Sequence, residues 1–458
     1  MSRPSDIWAL GFSRGAGGLW LARTKGLLVR RRAMVGSLAT LALKVSGTGL
    51  MMGIFLLAAR SMSPHGFGQL AVSFNALSFL AVLAVFGQDV LMVRSWGEYT
   101  SAEAHGLALG AYRFGWFVVT GAALGFGILT LAVGVLNPYY RFSPIEAATG
   151  AAFLTMQTLL LFTCQITRVV VHFGVSETNR ELTWRLILLP VVVASLWTGL
   201  NPAAFYGAAA LGMAVAVTLQ LITLNRRFPA SIRAARSEMR RREWLRRATS
   251  MWTSAVLEAA AQYAEVLLLG LLVSPAVAGL YFVAARMANV FAMMSGGLHS
   301  YTVTHASTLF HAGQKPALQA LFRSVMTMAL LIAGPLIVMV AAFGSLFLDV
   351  FGHHYADGYW VLIVLSVGSF TAAMSGPSNG LLLVSGHEKL YSRVLFVALL
   401  VRVGLITWAA PRFGALGAAM AWTVVTAPVA IGLAAATRRL TGIDPSLLCL
   451  VTRPVLSE

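Results

Sequence analysis

The stretch SPHGFG at residues 63–68 is matched 211 positions later by SPAVAG at residues 274–279. Each stretch falls in the turn between the first and second apolar segments of its half of the chain. The tripeptide GAA occurs at residues 207–209 and at residues 417–419, an offset of 210. Two matches at nearly one offset and at equivalent places predict an internal duplication. The fold should therefore consist of two similar halves.

The composition is typical of a membrane protein. Hydrophobic residues make up 58% of the 458 residues and charged residues 11%, with a mean hydropathy of +0.77, whereas soluble domains carry about 25% charged residues. A hydrocarbon core about 30 Å thick needs roughly 20 apolar residues per helix. Hydropathy predicts twelve helices, at residues 36–59, 69–92, 114–136, 148–171, 182–200, 203–224, 251–273, 277–300, 323–350, 358–384, 390–411 and 414–437. Pro377 is expected to bend the tenth of them, residues 358–384.

The positions of lysine and arginine predict how these helices are oriented. With the N-terminus in the cytoplasm, 28 of the 34 Lys and Arg residues fall in cytoplasmic segments. Only Arg60, Arg141 and Arg412 fall in periplasmic turns, and three more lie inside helices. Membrane proteins show this bias, so we expect twelve spans with both termini cytoplasmic. The formal charge of +18 follows from this bias, and nucleic acid is not an expected partner.

The even number of crossings in each half makes the halves parallel repeats, related by an axis along the membrane normal. The sequence thus predicts an all-α polytopic membrane protein, with 12 transmembrane helices in two six-helix lobes around a central cavity. Residues 7–32 are expected to form an interfacial helix or a partly disordered tail. The predicted segments are a basic N-terminal tail 1–33, an N-lobe 34–225, a basic cytoplasmic linker 226–250, a C-lobe 251–440 and a cytoplasmic C-terminal tail 441–458.

No cofactor site is predicted. Cys164 and Cys449 are too few for a disulfide framework or a metal cluster, and the acidic and histidine residues at 349–357 match no metal template. There is no glycine-rich phosphate loop of the P-loop type. The sequence also lacks a catalytic constellation and a sizeable extramembrane loop, so we expect a transporter rather than an enzyme.

Five stretches carry a resemblance to a known family: residues 59–72 (ARSMSPHGFGQLAV), 85–95 (VFGQDVLMVRS), 263–291 (YAEVLLLGLLVSPAVAGLYFVAARMANVF), 335–368 (PLIVMVAAFGSLFLDVFGHHYADGYWVLIVLSVG) and 413–422 (FGALGAAMAW). In its glycines, prolines and helix spacing the chain resembles the prokaryotic polysaccharide-transporter (oligosaccharide flippase) family of the multidrug/oligosaccharidyl-lipid/polysaccharide exporter superfamily. The resemblance implies a flippase that moves an undecaprenyl-pyrophosphate-linked oligosaccharide across the bacterial inner membrane. The drug-exporting branch is the alternative, and a membrane-embedded glycan-processing enzyme is a further one.

Polar residues in the seventh predicted helix are candidate functional groups, because ionisable groups inside a membrane are costly unless they are paired or hydrated. Ser254, Glu258, Gln262 and Glu265 are spaced by four, four and three residues and share one helix face. They predict either the wall of a cavity or a structural polar seam. Glu258 and Glu265 are the candidate ion-coupling residues, with H+ or Na+ as the ion.

The substrate-binding candidates are Lys44, Arg286, Arg402, Asn75 and Gln262. Lysine and arginine inside the spans suit a pyrophosphate, which arginine binds through paired hydrogen bonds. Other interpretations of each cation stay open. Arg286 lies at the same predicted depth as Glu265, which makes an ion pair plausible. Lys44 is a candidate partner of Glu258, and Arg402 a candidate for packing against a helix carbonyl or for snorkelling.

Overall fold

The computed structural model describes residues 42–136 and 143–450, which form a bundle of α-helices without strands. In chain order the helices are α1 Ala42–Ser61, α2 Pro64–Val85, α3 Gln88–Ser101, α4 His105–Leu136, α5 Pro144–Val170, α6 Phe173–Thr198, α7 Pro202–Arg227, α8 Ala230–Ala234, α9 Arg241–Leu272, α10 Pro275–His311, α11 Lys315–Asp349, α12 His353–Ala356, α13 Tyr359–Met374, α14 Ser378–Val384 and α15 Glu388–Thr441. A short 3-10 turn, Leu447–Leu450, follows α15.

Ten helices in the described ranges are long and apolar enough to cross a membrane, with Pro64–Ser101 counted as one. The tenth predicted span is divided into α13 and α14, and Gly376, at φ +71°, precedes Pro377 at the break. The bend expected at Pro377 is therefore confirmed. Helix α13 is shorter than the ten and adds an eleventh span, so the twelve-helix prediction holds if α15 supplies two spans.

Helix α15 does contain two spans, because the chain reverses direction at Gly414. This residue has φ +58° and ψ −138°, outside the helical region. A Cβ atom on Gly417 would lie 2.5 Å from the carbonyl oxygen of Ala409. Eight residues of straight helix would separate these positions by about 12 Å. The eleventh and twelfth predicted spans therefore form a tight hairpin.

Several predicted segments fall outside the described residues. They are the N-terminal tail 1–33 with its possible interfacial helix, residues 34–41 at the start of the N-lobe, residues 137–142, which include Arg141, and residues 451–458 of the C-terminal tail.

The two repeated turns begin a helix in the same way. The Ser63 hydroxyl accepts a hydrogen bond from the Gly66 amide at 3.1 Å, and the Ser274 hydroxyl accepts one from the Val277 amide at 3.3 Å. Serine is a preferred helix cap, and proline, which follows both serines, suits the first helical position. The repeated Ser-Pro pair thus sets the start of α2 in one half and of α10 in the other.

The two lobes meet along α1 and α2 of the first half and α9 and α10 of the second. Helix α2 packs against both α9 and α10. The ring of Phe55 lies edge-on to Phe74 at 5.3 Å and to Phe282 at 4.8 Å, and edge-to-face pairs are favourable aromatic contacts. One apolar core consequently runs through both lobes.

The molecule has two distinct ends. We call the end that carries residues 61–64 and 273–275 the turn end, and the end that carries residues 228–240 and 442–450 the linker end. At the linker end each lobe is covered by the segment that follows its last helix. Ile232 and Ile443, which are 211 positions apart, are each only 1% exposed. The duplication therefore extends to the caps of the lobes.

The first turns of α9 are bound to the N-lobe, although the rest of the helix belongs to the C-lobe. The indole nitrogen of Trp252 donates to the carbonyl oxygen of Leu83 at 3.0 Å, and its ring stacks on Phe86 at 4.8 Å. Arg247 pairs with Glu98 at 2.8 Å. Part of the predicted linker 226–250 is thus a helical extension of the seventh span.

Candidate functional site

The polar stripe of α9 changes its exposure along the helix. Ser254, Glu258 and Gln262 are exposed, whereas Glu265 is buried. Glu258 lies within electrostatic range of Tyr391, at the start of α15. The stripe is therefore uncovered towards the linker end and closed towards the turn end.

Glu265 and Arg402 form a buried ion pair inside the C-lobe. Arg402 Nε lies 3.1 Å from Glu265 Oε1, and both side chains are at most 10% exposed. Arg402 Nη2 also donates to the carbonyl oxygen of Ala261 at 2.8 Å. A buried carboxylate and a buried guanidinium each carry a large desolvation cost, which the pair offsets. The pair links α9 to the first half of α15.

The sequence made Arg286 a plausible partner of Glu265, but the structure pairs Glu265 with Arg402 instead. Arg286 has the expected depth, but its guanidinium lies over the rings of Phe282 and Phe55, at 4.9 and 6.0 Å from their centroids. Depth along a helix does not specify the direction in which a side chain points. Arg402 also contacts a helix carbonyl, as one interpretation of the sequence allowed, and it does not line an open surface in this structure.

Arg286 is a cation placed between the lobes. Phe55 belongs to the N-lobe and Phe282 to the C-lobe, so the guanidinium is held by cation–π contacts from both sides. No carboxylate within the described residues lies at ion-pair distance from it. An unpaired cation at this depth is costly unless it is hydrated or meets an anion. Arg286 is therefore the strongest anion-binding candidate.

Two further arginines lie in α6, in a π-helical segment at Asn179–Thr183 and the turn that follows it. Arg185 Nη1 lies 2.6 Å from Glu181 Oε2, and Arg180 Nε lies 3.9 Å from Glu181 Oε1. Arg185 is within electrostatic range of Arg286. Wide π-helical turns are frequent at functional sites. Glu181 pairs closely with Arg185, whereas Arg180 also lies within electrostatic range of Glu177 and Asp89. Arg185 and Arg286 thus bring two guanidinium groups near each other.

Tyr263 connects these cations across the lobe interface. This α9 residue lies within electrostatic range of Arg286 and of Arg180, and its hydroxyl reaches Ser78 on α2. A phenol beside arginines adds a hydrogen-bonding group that can contact a phosphate oxygen. We call Arg180, Arg185, Tyr263 and Arg286 the central basic site.

The sequence did not identify the arginines of α6 as candidates. The polar run NRELTWR at residues 179–185 overlaps the start of the fifth predicted span, 182–200, and its arginines are counted with the cytoplasmic segments. In the structure α6 begins earlier, at Phe173, and the ring of His172 accepts a hydrogen bond from the Gly174 amide at 3.0 Å. A helix cap at His172 was the sequence feature that could have indicated the earlier start of α6. Histidine is not among the preferred capping residues, so the indication is weak.

The other substrate-binding candidates are in different surroundings. Lys44 and Gln262 are exposed on α1 and α9. Asn75 is 2% exposed, and its amide donates to the carbonyl of Ala71 at 2.6 Å in its own helix. Asn75 thus has no accessible polar group in this structure, while Lys44 and Gln262 are open to a ligand.

The lobes are tightly closed at the turn end. A Cβ atom on Gly68 would lie 1.9 Å from the carbonyl oxygen of Pro275, so α2 and α10 touch through their backbones. Arg60 Nε donates to the carbonyl oxygen of Val350 at 2.7 Å, which joins α1 to the C-lobe. The ring of Phe67 packs against Tyr355 at 5.8 Å. No passage is left between these backbones.

Towards the linker end, α1 and α10 are sparsely covered. Lys44, Thr48 and Gly49 on α1 are exposed, as is Asn289 on α10. Gly49 has no neighbouring atoms within 4 Å of a Cβ position. Helices that touch at one end and are uncovered at the other fit a cleft open at the linker end. No group of three or more metal-ligating side chains occurs in the part of the chain that the structure describes.

No protein-family model and no curated protein sequence matches the chain. Solved structures do match it. An inward-facing multidrug resistance MATE family transporter of the MOP superfamily is 12% identical, with a TM-score of 0.73, over 89% of this chain and 98% of that chain. The lipid II flippase MurJ in an inward closed conformation is 10% identical, with a TM-score of 0.69, over 88% of this chain and 87% of that chain.

A MOP superfamily transporter from Pyrococcus furiosus is also similar, with 13% identity and a TM-score of 0.58, over 89% of this chain and 94% of that chain. At these identities the likeness concerns the fold. The chain therefore has the all-α, multi-pass membrane fold of MOP-type transporters, as the sequence predicted. The prediction of an all-α polytopic membrane fold is confirmed, and the likeness to these transporters extends to the fold alone.

Proposed function

We propose that this protein is an alternating-access transporter that moves a lipid-linked oligosaccharide with a pyrophosphate linkage between the leaflets of the bacterial inner membrane. The observation that carries the proposal is the guanidinium of Arg286 between the lobes, which has no ion-pair partner among the described residues and lies within electrostatic range of Arg185. A pyrophosphate carries dense negative charge, which arginine recognises through paired hydrogen bonds. The linker end, with its many arginines, would face the cytoplasm.

The transport cycle follows from the closed turn end. The substrate headgroup enters between α1 and α10 at the linker end, and its pyrophosphate meets the central basic site. The polyprenyl chain stays in the lipid. When the lobes rock, the backbone contact at Gly68 opens and the linker end closes, which releases the headgroup on the other side. Lys44 and Gln262 line the entry in this scheme.

We infer that Glu258, and not Glu265, is the residue that would bind a coupling ion. The carboxylate of Glu265 is already neutralised by Arg402 at 3.1 Å. Glu258 is exposed and has no ion-pair partner in the described part of the chain. A carboxylate in this position can take up H+ or Na+ during the cycle.

The test uses the purified protein in proteoliposomes, with a fluorescent short-chain polyprenyl-pyrophosphate sugar and a membrane-impermeant quencher. Arg286→Gln should lower the flipping rate about 10- to 100-fold, since a hydrogen bond to a charged group contributes roughly 1.5–3 kcal/mol. The matched control is Arg412→Gln, because Arg412 is exposed at the turn end, away from the central basic site, and its guanidinium contacts Trp408 of its own helix. Equal rates for wild type and Arg286→Gln would reject the proposal.

A second candidate function is the export of lipophilic cations. The exposed carboxylate of Glu258 favours it, and one similar structure is a multidrug resistance transporter. Export of ethidium from everted vesicles, lost in Glu258→Gln and kept in Arg286→Gln, would establish this function in place of the flippase.

A further inference from the structure

A groove separate from the lobe interface lies at the linker end of the C-lobe. Its volume is about 690 Å³, and it is enclosed by the end of α13, the last turns of α15 and the segment before the 3-10 turn. The residues used below are Thr371, Ser375, Ile431, Ala435, Arg438 and Arg439. None of them belongs to the central basic site.

One wall of the groove continues as an apolar face along α15. Val424, Pro428, Ile431 and Ala435 are spaced by four, three and four residues, so they share a helix face, and all four are exposed. Val424 is 63% exposed and Ile431 is 56% exposed. Apolar side chains left uncovered on a membrane-spanning helix contact lipid tails. A hydrocarbon chain can therefore lie along this face and lead into the groove.

The end of the same face is positively charged. Arg438 follows Ala435 by three residues, and Arg439 is next to it. Arg438 Nη1 lies 3.4 Å from Asp444 Oδ2, and its side chain is still 52% exposed. Arg439 is exposed and has no ion-pair partner in the ranges that the structure describes. Two arginines with one carboxylate leave a net positive charge beside two hydroxyl side chains, Thr371 and Ser375.

We propose that this groove binds an anionic phospholipid of the leaflet at the linker end. Arg438 and Arg439 contact the phosphodiester, and one acyl chain lies along the exposed face of α15. Arginine pairs its N–H groups with phosphate oxygens, and basic pockets between helices bind lipid headgroups in this way. The bound lipid bridges α13, α15 and the C-terminal segment, so it stabilises the C-lobe. This site is independent of the transport proposal.

The repeat supplies a matched control. Arg226 and Arg227 occupy the equivalent place at the end of α7, 212 positions before Arg438 and Arg439. They are exposed at the same end of the molecule and carry the same charge, but they do not line the groove. Any effect of general surface charge should therefore appear equally at both pairs.

The experiment counts lipids bound to the full-length protein by native mass spectrometry during titration with phosphatidylglycerol. The double variant Arg438→Gln/Arg439→Gln should bind about 30-fold more weakly, since each arginine near an anionic headgroup contributes roughly a fivefold preference. Arg226→Gln/Arg227→Gln should stay within about threefold of wild type. Phosphatidylcholine, which has no net charge, should bind wild type about as weakly as phosphatidylglycerol binds the first double variant.

A second variant tests the groove without changing its charge. Ile431→Trp places an indole on the apolar wall and should displace the acyl chain. Phosphatidylglycerol binding should therefore weaken in this variant. Glycerol phosphate, which has no acyl chain, should bind to none of the variants. Gel filtration establishes that each variant is folded. Equal losses at both arginine pairs would show general charge attraction. Unchanged binding in both groove variants would mean that the lipid binds elsewhere. Equal losses at both arginine pairs and unchanged binding in the groove variants would each overturn the proposal.

Discussion

Gly68 and Gly279, equivalent positions of the two repeats, lie against each other where the lobes meet. A Cβ atom on Gly279 would be 2.9 Å from the Cα atom of Gly68. Residues related by a two-fold axis touch only when they lie close to that axis. The pseudo-symmetry axis of the molecule must therefore pass between α2 and α10 at the turn end. The absence of side chains at both positions allows the backbones to close the gap.

A side chain at this contact should prevent closure of the turn end. Gly68→Val would place Cβ 1.9 Å from the carbonyl oxygen of Pro275, a backbone atom that cannot move without its helix. We expect the equilibrium to shift towards a state open at the turn end. The measurement is the cross-linking yield of Arg60→Cys/Val350→Cys with a short bis-maleimide, because these residues touch across the closed turn end and should separate when it opens.

The control for this experiment is Gly121→Val, since a Cβ at Gly121 has no atoms within 4 Å. It should leave the cross-linking yield unchanged. If Gly68→Val and Gly121→Val give the same yield as the parent, the backbone contact does not hold the turn end shut.

The Glu265–Arg402 pair should be needed for stability as a unit. Removing one partner from a buried pair leaves an uncompensated charge and costs roughly 3–5 kcal/mol, whereas replacing both with apolar groups is often neutral. Glu265→Leu and Arg402→Met should each lower the apparent melting temperature, and the double variant should recover most of the loss. Fluorescence-detected gel filtration after heating measures this.

The same variants separate a structural role from ion coupling. If Glu265 bound the coupling ion, the stable double variant would lose its dependence on H+ or Na+. We expect its ion dependence to match that of wild type, and a change would restore Glu265 as a coupling candidate.

The architecture could be predicted because it depends on signals that are local along the chain. Hydropathy locates the spans, Ser63 and Ser274 begin equivalent helices, and their spacing reveals the duplication. The break before Pro377 follows from the missing amide of proline. Each of these features is decided by a few neighbouring residues, so sequence alone is sufficient.

Side-chain partners could not be predicted in the same way. Depth along the helices offered Arg286 as a partner of Glu265, whereas the structure pairs Glu265 with Arg402. The choice depends on how each helix is rotated about its axis. That rotation is set by packing between distant segments, such as Phe55 beneath Arg286. Arg185 was missed because a polar run inside a span looks like a turn.

The central basic site should depend on charge at Arg185. Arg185→Gln leaves Glu181 with only Arg180 at 3.9 Å, which lowers the positive potential facing Arg286. Binding of the polyprenyl-pyrophosphate probe should weaken about tenfold, in line with one lost charge-assisted contact. Fluorescence anisotropy with the purified protein measures the change.

A charge-compensated variant shows whether this effect is electrostatic. Glu181→Gln/Arg185→Gln removes one charge of each sign and should bind better than Arg185→Gln. If the double variant binds no better, Arg185 acts through direct contact or through the packing of α6 on Gly47, whose Cβ position lies 2.7 Å from Arg185 Nη1.

The native cysteines should be unreactive towards thiol reagents at neutral pH. Both are buried, and burial raises the pKa of the Cys449 thiol to about 11 from a reference value of 9.0. Only the thiolate reacts, so labelling of the folded protein with a maleimide at pH 7 should be slow. Because the folded state holds this proton more tightly than the unfolded chain, its stabilising effect is present below pH 9 and is lost as pH rises to about 11. Rapid labelling of Cys449 at pH 7 without denaturant would contradict the burial of the C-terminal segment.

A cysteine at Thr48 should report whether the uncovered face of α1 meets water or lipid. Thr48 is exposed towards the linker end, Asn75 is buried, and Ile128 is exposed on the apolar helix α4. A membrane-impermeant maleimide reacts only with hydrated thiols, so Thr48→Cys should be labelled in vesicles that present the linker end, whereas Asn75→Cys and Ile128→Cys should not. Labelling of Thr48→Cys should fall when the polyprenyl-pyrophosphate probe occupies the cleft. If Thr48→Cys is as unreactive as Ile128→Cys, α1 faces lipid there and the cleft between the lobes does not exist in this state.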